Sequence, residues 1–344
     1  MRASEQICRR LSSTSFCMAL LVASLLLAAS RTPVLARGWE RLATQVGPAP
    51  VVLQVAVEDL DGDGRAEVAV AGRDYERQQD RLYIMQWSGR AGPEPLQVAA
   101  QSPPFSEPMS HVALAVGPFT EPEAREILAA TNSRLVVWRW DGGRALAPAW
   151  QGDYSARVQQ VAAVHLPGEP AAVALAYVRT SPRWHYVLQI WHWNGASLEP
   201  IAGPFSIGPV RAMTSGDLAG DGQSELVLEV GEGNSPGQVQ VWRWREGAFQ
   251  QATSAALRDA PVFGLGAGRV PEVSTERDLL LAADDRGRIV LYQWGPKGFS
   301  RVGDVATASW GLVSAALGDL NGDGRTEAVV VEYPNLIHVL RWQP

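Results

Sequence analysis

Six tryptophans divide the chain into repeats of about 50 residues. They are Trp87, Trp140, Trp193, Trp244, Trp294 and Trp342, and they are separated by 53, 53, 51, 50 and 48 residues. Each lies at the end of a short strand-like run, such as residues 135–140 and 337–342, and a turn follows most of them. Strand-rich units of this length are typical of propeller blades. The spacing therefore predicts an all-β, six-bladed β-propeller.

Each repeat contains four strand-like segments in the same order. The first of these predicted strands lie at residues 51–57, 112–116, 158–164, 210–214, 262–265 and 312–317. A second strand, the strand that ends at the repeat tryptophan, and a fourth strand after the turn complete the unit. The first three are rich in Val, Leu, Ala and Ile, as expected for sheets that are buried between neighbouring sheets.

The last repeat stops at Pro344, directly after its third strand, and therefore lacks a fourth. Residues 38–46 match the pattern that follows the other repeat tryptophans, for example at residues 247–251. We therefore expect the N-terminal strand to close the last blade. This closure would pair both ends of the chain and leave no major sheet edge unpaired.

A nine-residue acidic stretch occurs three times, between the first and second strands of repeats one, four and six. The copies read DLDGDGRAE from Asp59, DLAGDGQSE from Asp217 and DLNGDGRTE from Asp319. Oxygen-bearing side chains at positions 1, 3, 5 and 9, with glycines that let the backbone curl, suit Ca²⁺, which takes about six to eight oxygen ligands. The acid at position 9 and the flanking strands distinguish this loop from an EF-hand.

In these loops and in its repeat length, the chain resembles the FG-GAP/VCBS repeat family, which includes the integrin α-chain propeller and many secreted bacterial proteins. Periodicity extends the resemblance over residues 37–344, whereas the specific motif covers three of the six repeats. The resemblance implies a propeller with Ca²⁺ in the loop between the first and second strands. Since the integrin relatives have seven blades, the blade number stays open between six and seven.

The implied calcium ligands are oxygen side chains plus the carbonyl of position 7. The first loop supplies Asp59, Asp61, Asp63, the Arg65 carbonyl and Glu67; the middle loop supplies Asp217, Asp221, the Gln223 carbonyl and Glu225; the third loop supplies Asp319, Asn321, Asp323, the Arg325 carbonyl and Glu327. Ala219 removes one ligand from the middle loop. We therefore expect two Ca²⁺ sites and a weaker third one. The alternative is an acidic turn that binds nothing.

The first 36 residues have the composition of a signal peptide. A basic start precedes an apolar stretch at residues 16–29, and small residues up to Ala36 fit a cleavage site. Both cysteines, Cys8 and Cys17, lie in this leader. We expect an exported protein that is secreted, at the cell surface or periplasmic, with residues 37–344 as its single domain and no transmembrane segment in it. An uncleaved N-terminal anchor is the alternative.

The charge and the histidines argue against several function classes. Loss of the leader, which holds four arginines and one glutamate, changes the formal charge from −6 to −9, so we expect no nucleic-acid partner. The five histidines are dispersed and lack the spacing of a zinc site. The sequence also lacks a G-x-S-x-G elbow, and its two cysteines lie in the leader. Catalytic residues are therefore not predicted.

The sequence favours a monomeric, non-enzymatic scaffold that binds a protein or glycan ligand in adhesion or assembly. By the family resemblance, the metal loops lie on one face and ligands bind on the other. The candidate contact residues are Tyr75, Trp184, Tyr186, Trp310 and Tyr333. Among the tryptophans outside the repeat positions, Trp39, Trp150, Trp184 and Trp310 are expected to be exposed, whereas the six repeat tryptophans pack between blades.

The alternative function is a secreted polysaccharide lyase or hydrolase with its active site in the propeller channel. Paired acids for glycoside cleavage could assemble across the propeller mouth. A deep channel with several acidic, arginine and histidine side chains would favour the enzyme. A channel lined by valine and alanine would favour the scaffold.

Overall fold

Four-stranded antiparallel sheets repeat six times in the part of the chain that the structure describes. The computed structural model describes residues 38–343 except 90–93, 106–112, 133, 144, 155, 167–171, 181–182, 258 and 309–310. The expected signal peptide lies outside these residues. No helix among the described residues is long and apolar enough to span a membrane.

The strands are numbered in chain order and grouped into six blades. Blade 1 contains β2 (Val51–Glu58), β3 (Glu67–Asp74), β4 (Gln79–Trp87) and β5 (Leu96–Gln101). Blade 2 contains β6 (Ala113–Gly117), β7 (Glu126–Ala130), β8 (Arg134–Arg139) and β9 (Ala147–Asp153). Blade 3 contains β10 (Arg157–Val164), β11 (Ala172–Arg179), β12 (His185–Trp193) and β13 (Leu198–Ile207).

The remaining blades follow the same plan. Blade 4 contains β14 (Val210–Gly216), β15 (Glu225–Val230), β16 (Gln238–Arg245) and β17 (Ala248–Ala255). Blade 5 contains β18 (Val262–Val270), β19 (Ser274–Asp284), β20 (Arg288–Gly295) and β21 (Gly298–Ala306). Blade 6 contains β22 (Leu312–Gly318), β23 (Glu327–Glu332), β24 (Leu336–Trp342) and β1 (Trp39–Val46).

The N-terminal strand closes the ring. Strand β1 pairs antiparallel with β24, so Trp39 lies opposite Trp342. The inner strand of blade 6, β22, contacts the inner strand of blade 1, β2. The described residues therefore form a closed ring of six blades, not seven. Both the six-bladed fold and the N-terminal closure are confirmed.

The prediction that Trp39 is exposed is wrong. Its side chain is fully buried and packs edge-to-face on Trp342, with ring centroids 5.3 Å apart. Pairing of β1 with β24 brings the two indoles together, because directly opposed residues of adjacent strands lie on the same face of a sheet. Trp150 is half-buried against Trp193, whereas Trp184 is exposed as predicted. Trp310 lies outside the described residues.

Five of the repeat tryptophans contribute to apolar clusters that join neighbouring blades, namely Trp87, Trp140, Trp193, Trp244 and Trp294. Trp140 is buried between blades 1 and 2, and the half-buried Trp244 packs where blade 3 meets blade 4. Small residues let the inner strands approach one another at these interfaces. A Cβ on Gly318, for example, would lie 2.2 Å from Cγ1 of Val57 in the next blade. Packing between blades therefore depends both on the large tryptophans and on small residues such as glycine.

The propeller has two distinct faces because its strands alternate in direction. One face carries the loops between the first and second strands of each blade, including the three acidic loops, and is called the motif face. The other carries the loops between the second and third strands and the crossings between blades, and is called the opposite face. The inner strands of all six blades surround a central cavity of about 580 Å³.

Candidate functional site

The first acidic loop curls around the carboxylate of its first residue. Asp59 accepts hydrogen bonds from the backbone N–H groups of Gly62 and Gly64, at 2.8 and 3.2 Å. The two glycines have φ angles of 83° and 88°, in a region that glycine adopts without strain. Ligand oxygens of Asp59, Asp61 and Glu67 consequently lie within 4.8 Å of one another. Among the described residues, no other group of acidic, histidine or cysteine side chains converges in this way.

Glu67 is the buried member of this group. Its carboxylate accepts hydrogen bonds from the Leu60 N–H at 2.8 Å and from Nε2 of Gln86 at 3.2 Å. Burial, with a smaller contribution from nearby Asp61 and Asp63, raises the pKa of Glu67 to about 7. A buried, ionised carboxylate needs a compensating positive charge, and Gln86 supplies none.

A surface arginine of the next blade also contacts the first loop. Arg125 pairs with the Asp59 carboxylate and donates a hydrogen bond to the Asp59 carbonyl at 2.5 Å. The Arg125 side chain is 42% exposed, so this pair is screened by solvent and contributes little. It leaves Asp61, Asp63 and Glu67 without a contacting arginine in the described part of the chain. This loop therefore keeps a set of oxygen donors that fits a hard divalent cation.

The middle loop has the same curl but a different electrostatic environment. Asp217 accepts hydrogen bonds from the N–H groups of Gly220 and Gly222, at 2.7 and 3.0 Å. Burial raises the pKa of Glu225 to about 7. Here the compensating charge is a guanidinium, because Nε of Arg243 lies 2.7 Å from Oε1 of Glu225.

The contact of Arg243 extends to Asp221 as well. Positions 5 and 9 of the middle loop thus share one arginine whose side chain is 14% exposed. With Ala219 at position 3, this loop offers a cation fewer free oxygens than the first loop does.

The third loop also binds an arginine. Nη2 of Arg341 lies 2.5 Å from Oε1 of Glu327 and 3.3 Å from Oδ2 of Asp323. Asp319 accepts hydrogen bonds from Gly322 and Gly324, so the backbone curl is preserved. The sequence predicts that this loop binds Ca²⁺ as well as the first loop does. The structure shows a difference, because an arginine contacts two of its predicted ligands. Loop three would have to share or displace a guanidinium in order to bind a cation.

Blade 2 contains the same glutamate–arginine pair without an acidic loop. Glu126 is fully buried, and its Oε1 lies 2.7 Å from Nη2 of Arg139. The pair lies directly across the β7–β8 ladder. A buried glutamate at the start of the second strand, paired with an arginine at the end of the third, is therefore a structural unit that works without a metal loop.

The sequence analysis missed these partners. Each of them directly precedes a repeat tryptophan: Gln86, Arg139, Arg243 and Arg341 contact the glutamate of their own blade. Strand register supplies the signal that could have found them. The glutamate opens the second strand, and the polar residue nearly ends the antiparallel third strand, so the two residues face each other.

The aromatic candidates lie on the opposite face but in different blades. Tyr75, Trp184 and Tyr333 are 54%, 67% and 57% exposed, and they lie in or beside loops between second and third strands. Tyr75 and Tyr333 belong to adjacent blades 1 and 6, whereas Trp184 belongs to blade 3, across the ring. Tyr186 is half-buried within β12, and Trp310 lies outside the described residues.

The central cavity is lined mainly by valine, alanine, leucine and glycine of the inner strands. Its charged or titratable lining residues are Glu58, His165, Asp217 and Asp278. Asp278 already accepts a hydrogen bond from the Asp217 N–H at 2.8 Å and pairs with Arg269 at 3.2 Å. The lining includes no arginine. The lining is thus mostly aliphatic, as expected for a scaffold, but three carboxylates and a histidine also line it.

The solved structures similar to this chain include two of BBS1N in complex with ARL6DN, one soaked with lead and the other with mercury. The sequences are 11% and 14% identical, with a TM-score of 0.53 for each. The match covers 89% of this chain and 98% or 97% of the other chain. At this identity the likeness shows the propeller fold alone. No protein-family model and no curated protein matches the chain.

Proposed function

We propose that this protein is a non-enzymatic propeller scaffold that binds a protein partner on its opposite face and Ca²⁺ on its motif face. The observation that carries this proposal is where the aliphatic and the exposed aromatic side chains lie in the ring. The central cavity is mostly aliphatic, whereas Tyr75, Trp184 and Tyr333 project from the opposite face. Exposed aromatic side chains are the residues that most often anchor a protein interface.

The similar solved propellers support a protein partner over a glycan. In both of those structures BBS1N is in complex with a second protein, ARL6DN. The signal-peptide composition of residues 1–36 supports the related proposal that the scaffold acts after export, as a secreted, cell-surface or periplasmic protein. The closed ring presents its loops on a rigid frame, which limits the entropy lost on binding.

The first loop supports the calcium proposal best. Asp59, Asp61, Asp63, the Arg65 carbonyl and Glu67 would hold the ion. Bound Ca²⁺ would supply the positive charge that Gln86 does not, and it would fix the loop against the start of β3. Arg243 and Arg341 supply that charge in the other two loops, so we propose a tight first site and weaker second and third sites.

Partner binding is tested with a double variant of the opposite face. Trp184→Ala combined with Tyr333→Ala should reduce capture of the partner from the native extract by roughly 30-fold or more, since even one aromatic anchor often contributes about 2 kcal/mol. Quantitative mass spectrometry of captured proteins measures the effect. Val98→Ala, which truncates a 50% exposed apolar residue on outer strand β5, is the control. Release of unsaturated or shortened sugars from anionic polysaccharides would instead support the enzyme.

Exchanging the glutamine beside the first loop and the arginine beside the third loop should change the Ca²⁺ affinity of each loop. Arg341→Gln should strengthen Ca²⁺ binding at the third loop by about tenfold, because the cation no longer competes with a guanidinium for Asp323 and Glu327. Gln86→Arg should weaken the first site by a similar factor. Isothermal titration calorimetry with each variant measures both changes. Identical isotherms for wild type and the two variants would contradict the role given to residues 86 and 341.

A further inference from the structure

The hairpin between β11 and β12 carries an exposed positive cluster on the opposite face. Arg179 ends β11 and lies directly across from His185, the first residue of β12. Arg183 and Trp184 immediately precede His185, and both are exposed, as is Arg179. At 67%, Trp184 is the most exposed large apolar side chain in the described part of the chain. These four residues are called the blade 3 tip.

Arginines at the same end of blades 1, 2, 4 and 5 are neutralised by carboxylates. The pairs are Arg73 with Asp80, Arg77 with Asp74, Arg134 with Asp153, Arg211 with Glu229 and Arg286 with Asp259, at distances from 2.6 to 3.2 Å. Blade 3 differs. Between residues 154 and 198 the chain has a single acidic residue, Glu169, which belongs to the connection between β10 and β11, outside the described residues. Within the described residues, Arg179 and Arg183 therefore have no carboxylate partner.

A buried tyrosine fixes the guanidinium of Arg179. Nη2 of Arg179 donates a hydrogen bond to the Tyr177 hydroxyl at 3.3 Å, and the guanidinium carbon lies 5.6 Å from the centre of the tyrosine ring. Tyr177 is 1% exposed, and its hydroxyl donates to Oε1 of Gln189 at 2.7 Å. Because the guanidinium is already held in place, less side-chain entropy is lost when an anion binds to its other N–H groups.

The loop presents Arg183 and Trp184 to solvent. Nδ1 of His185 donates a hydrogen bond to the Arg183 carbonyl at 2.9 Å, which ties the loop backbone to the start of β12. The guanidinium of Arg183 makes no hydrogen bond or ion pair in the part of the chain that the structure describes. Guanidinium and indole groups only donate hydrogen bonds. The blade 3 tip thus combines positive charge, hydrogen-bond donors and one exposed aromatic ring.

We propose that the blade 3 tip binds an acidic segment of the protein partner. An ionised carboxylate accepts hydrogen bonds and donates none, so it complements the guanidinium groups of Arg179 and Arg183. An apolar side chain of the same segment packs on the indole of Trp184. Tryptophan and arginine are enriched among the residues that dominate the energy of protein interfaces. The inference rests on the proposed protein-binding function and specifies the charge of the partner.

The rest of the molecule directs an acidic segment to this tip. The formal charge of the chain is −6, so the overall field repels an acidic segment and attraction has to come from a local patch. The arginines of the neighbouring blades already contact carboxylates of their own. A neutral sugar is a poorer complement, because its hydroxyls both donate and accept, whereas Arg179, Arg183 and Trp184 offer donors only.

Fluorescence anisotropy with two fluorescein-labelled peptides tests the proposal. Three repeats of Leu-Glu-Glu should bind the purified protein about tenfold more tightly than three repeats of Leu-Gln-Gln. Arg179→Gln combined with Arg183→Gln should weaken the glutamate peptide about tenfold. The matched control combines Arg77→Gln with Arg286→Gln. It removes the same amount of charge from the same face, but at arginines that already contact carboxylates, and should change affinity less than about twofold.

Salt and an apolar truncation test the two kinds of contact separately. Raising the ionic strength from about 0.1 M to about 1 M shortens the screening length from about 10 Å to about 3 Å, and should weaken the glutamate peptide roughly fivefold. Trp184→Ala should weaken the same peptide about tenfold. A peptide with serine in place of leucine should bind the wild type more weakly and lose little further affinity in Trp184→Ala.

Equal binding of the glutamate and glutamine peptides, or an equal loss in the two double variants, would overturn the proposal. Tighter binding of a labelled heparin hexasaccharide through the same two arginines would also overturn it, because the ligand would then be a sulfated glycan. Thermal melts of each variant verify folding. Partner capture that depends on Trp184 and Tyr333 but is unchanged without Arg179 and Arg183 would overturn the acidic segment and leave the scaffold function standing. Glutamate-peptide binding without partner capture would give the reverse result.

Discussion

Ca²⁺ will raise the melting temperature of the wild-type protein, and Asp61→Ala will remove most of that rise. An ion that binds only the folded state stabilises it by about 2.7 kcal/mol at one hundred times Kd. For a chain of this length, that corresponds to roughly 3–5 °C. Asp61 is exposed and accepts a hydrogen bond from the Asp63 N–H at 3.2 Å. Its loss should therefore matter little in chelator.

Differential scanning calorimetry in Ca²⁺ and in chelator measures this effect. Glu123→Ala is the control, because it removes one exposed carboxylate from the motif face, in the blade 2 loop that lacks the acidic motif. Asp323→Ala should have a smaller effect than Asp61→Ala, since Arg341 already contacts Asp323. If the wild-type scans superimpose with and without chelator, the acidic loops are not stabilising metal sites.

Trp39→Ala will destabilise the ring by about 3–5 kcal/mol. The side chain is fully buried, so its removal leaves a cavity beside Trp342 in the blade that closes the propeller. Urea unfolding followed by circular dichroism measures the change in the free energy of unfolding. The matched variant is Leu42→Ala on the same strand, where the side chain is 37% exposed and a change below about 1 kcal/mol is expected. If Trp39→Ala lowered the free energy of unfolding as little as Leu42→Ala does, β1 would add little to the stability of the closed ring.

Periodicity predicts most of this fold because every blade must bury both faces of its sheet against its neighbours. That requirement repeats the same apolar strands and the same terminal tryptophan, so the six repeats could be predicted from spacing and the closing strand from its sequence pattern. The choice of six blades over seven needed the pairing of β1 with β24 and the contact of β22 with β2. The burial of Trp39 could not be predicted in this way. It lies outside the six repeat positions, and only pairing of β1 with β24 shows that its indole packs against Trp342.

The candidate site was predictable in part. The acidic motif identifies which loops curl, since its glycines and first aspartate supply the turn hydrogen bonds directly. The motif does not show what neutralises its buried glutamate. That depends on a residue 14 to 19 positions later, glutamine in blade 1 and arginine in blades 4 and 6, which only the strand register places beside it.

Closure by β1 has a consequence for how the protein folds. Glu40 and Gln343 bond across 303 residues, so the contacts of blade 6 are among the most distant in the chain. Bringing the ends of such a segment together costs about 5 kcal/mol in chain entropy beyond a constant. Strand β1 is synthesised first but gains its partner last, after β24 has emerged. Completion of the ring is therefore a late event, and a chain interrupted before blade 6 exposes two unpaired inner surfaces where the first and last blades should meet.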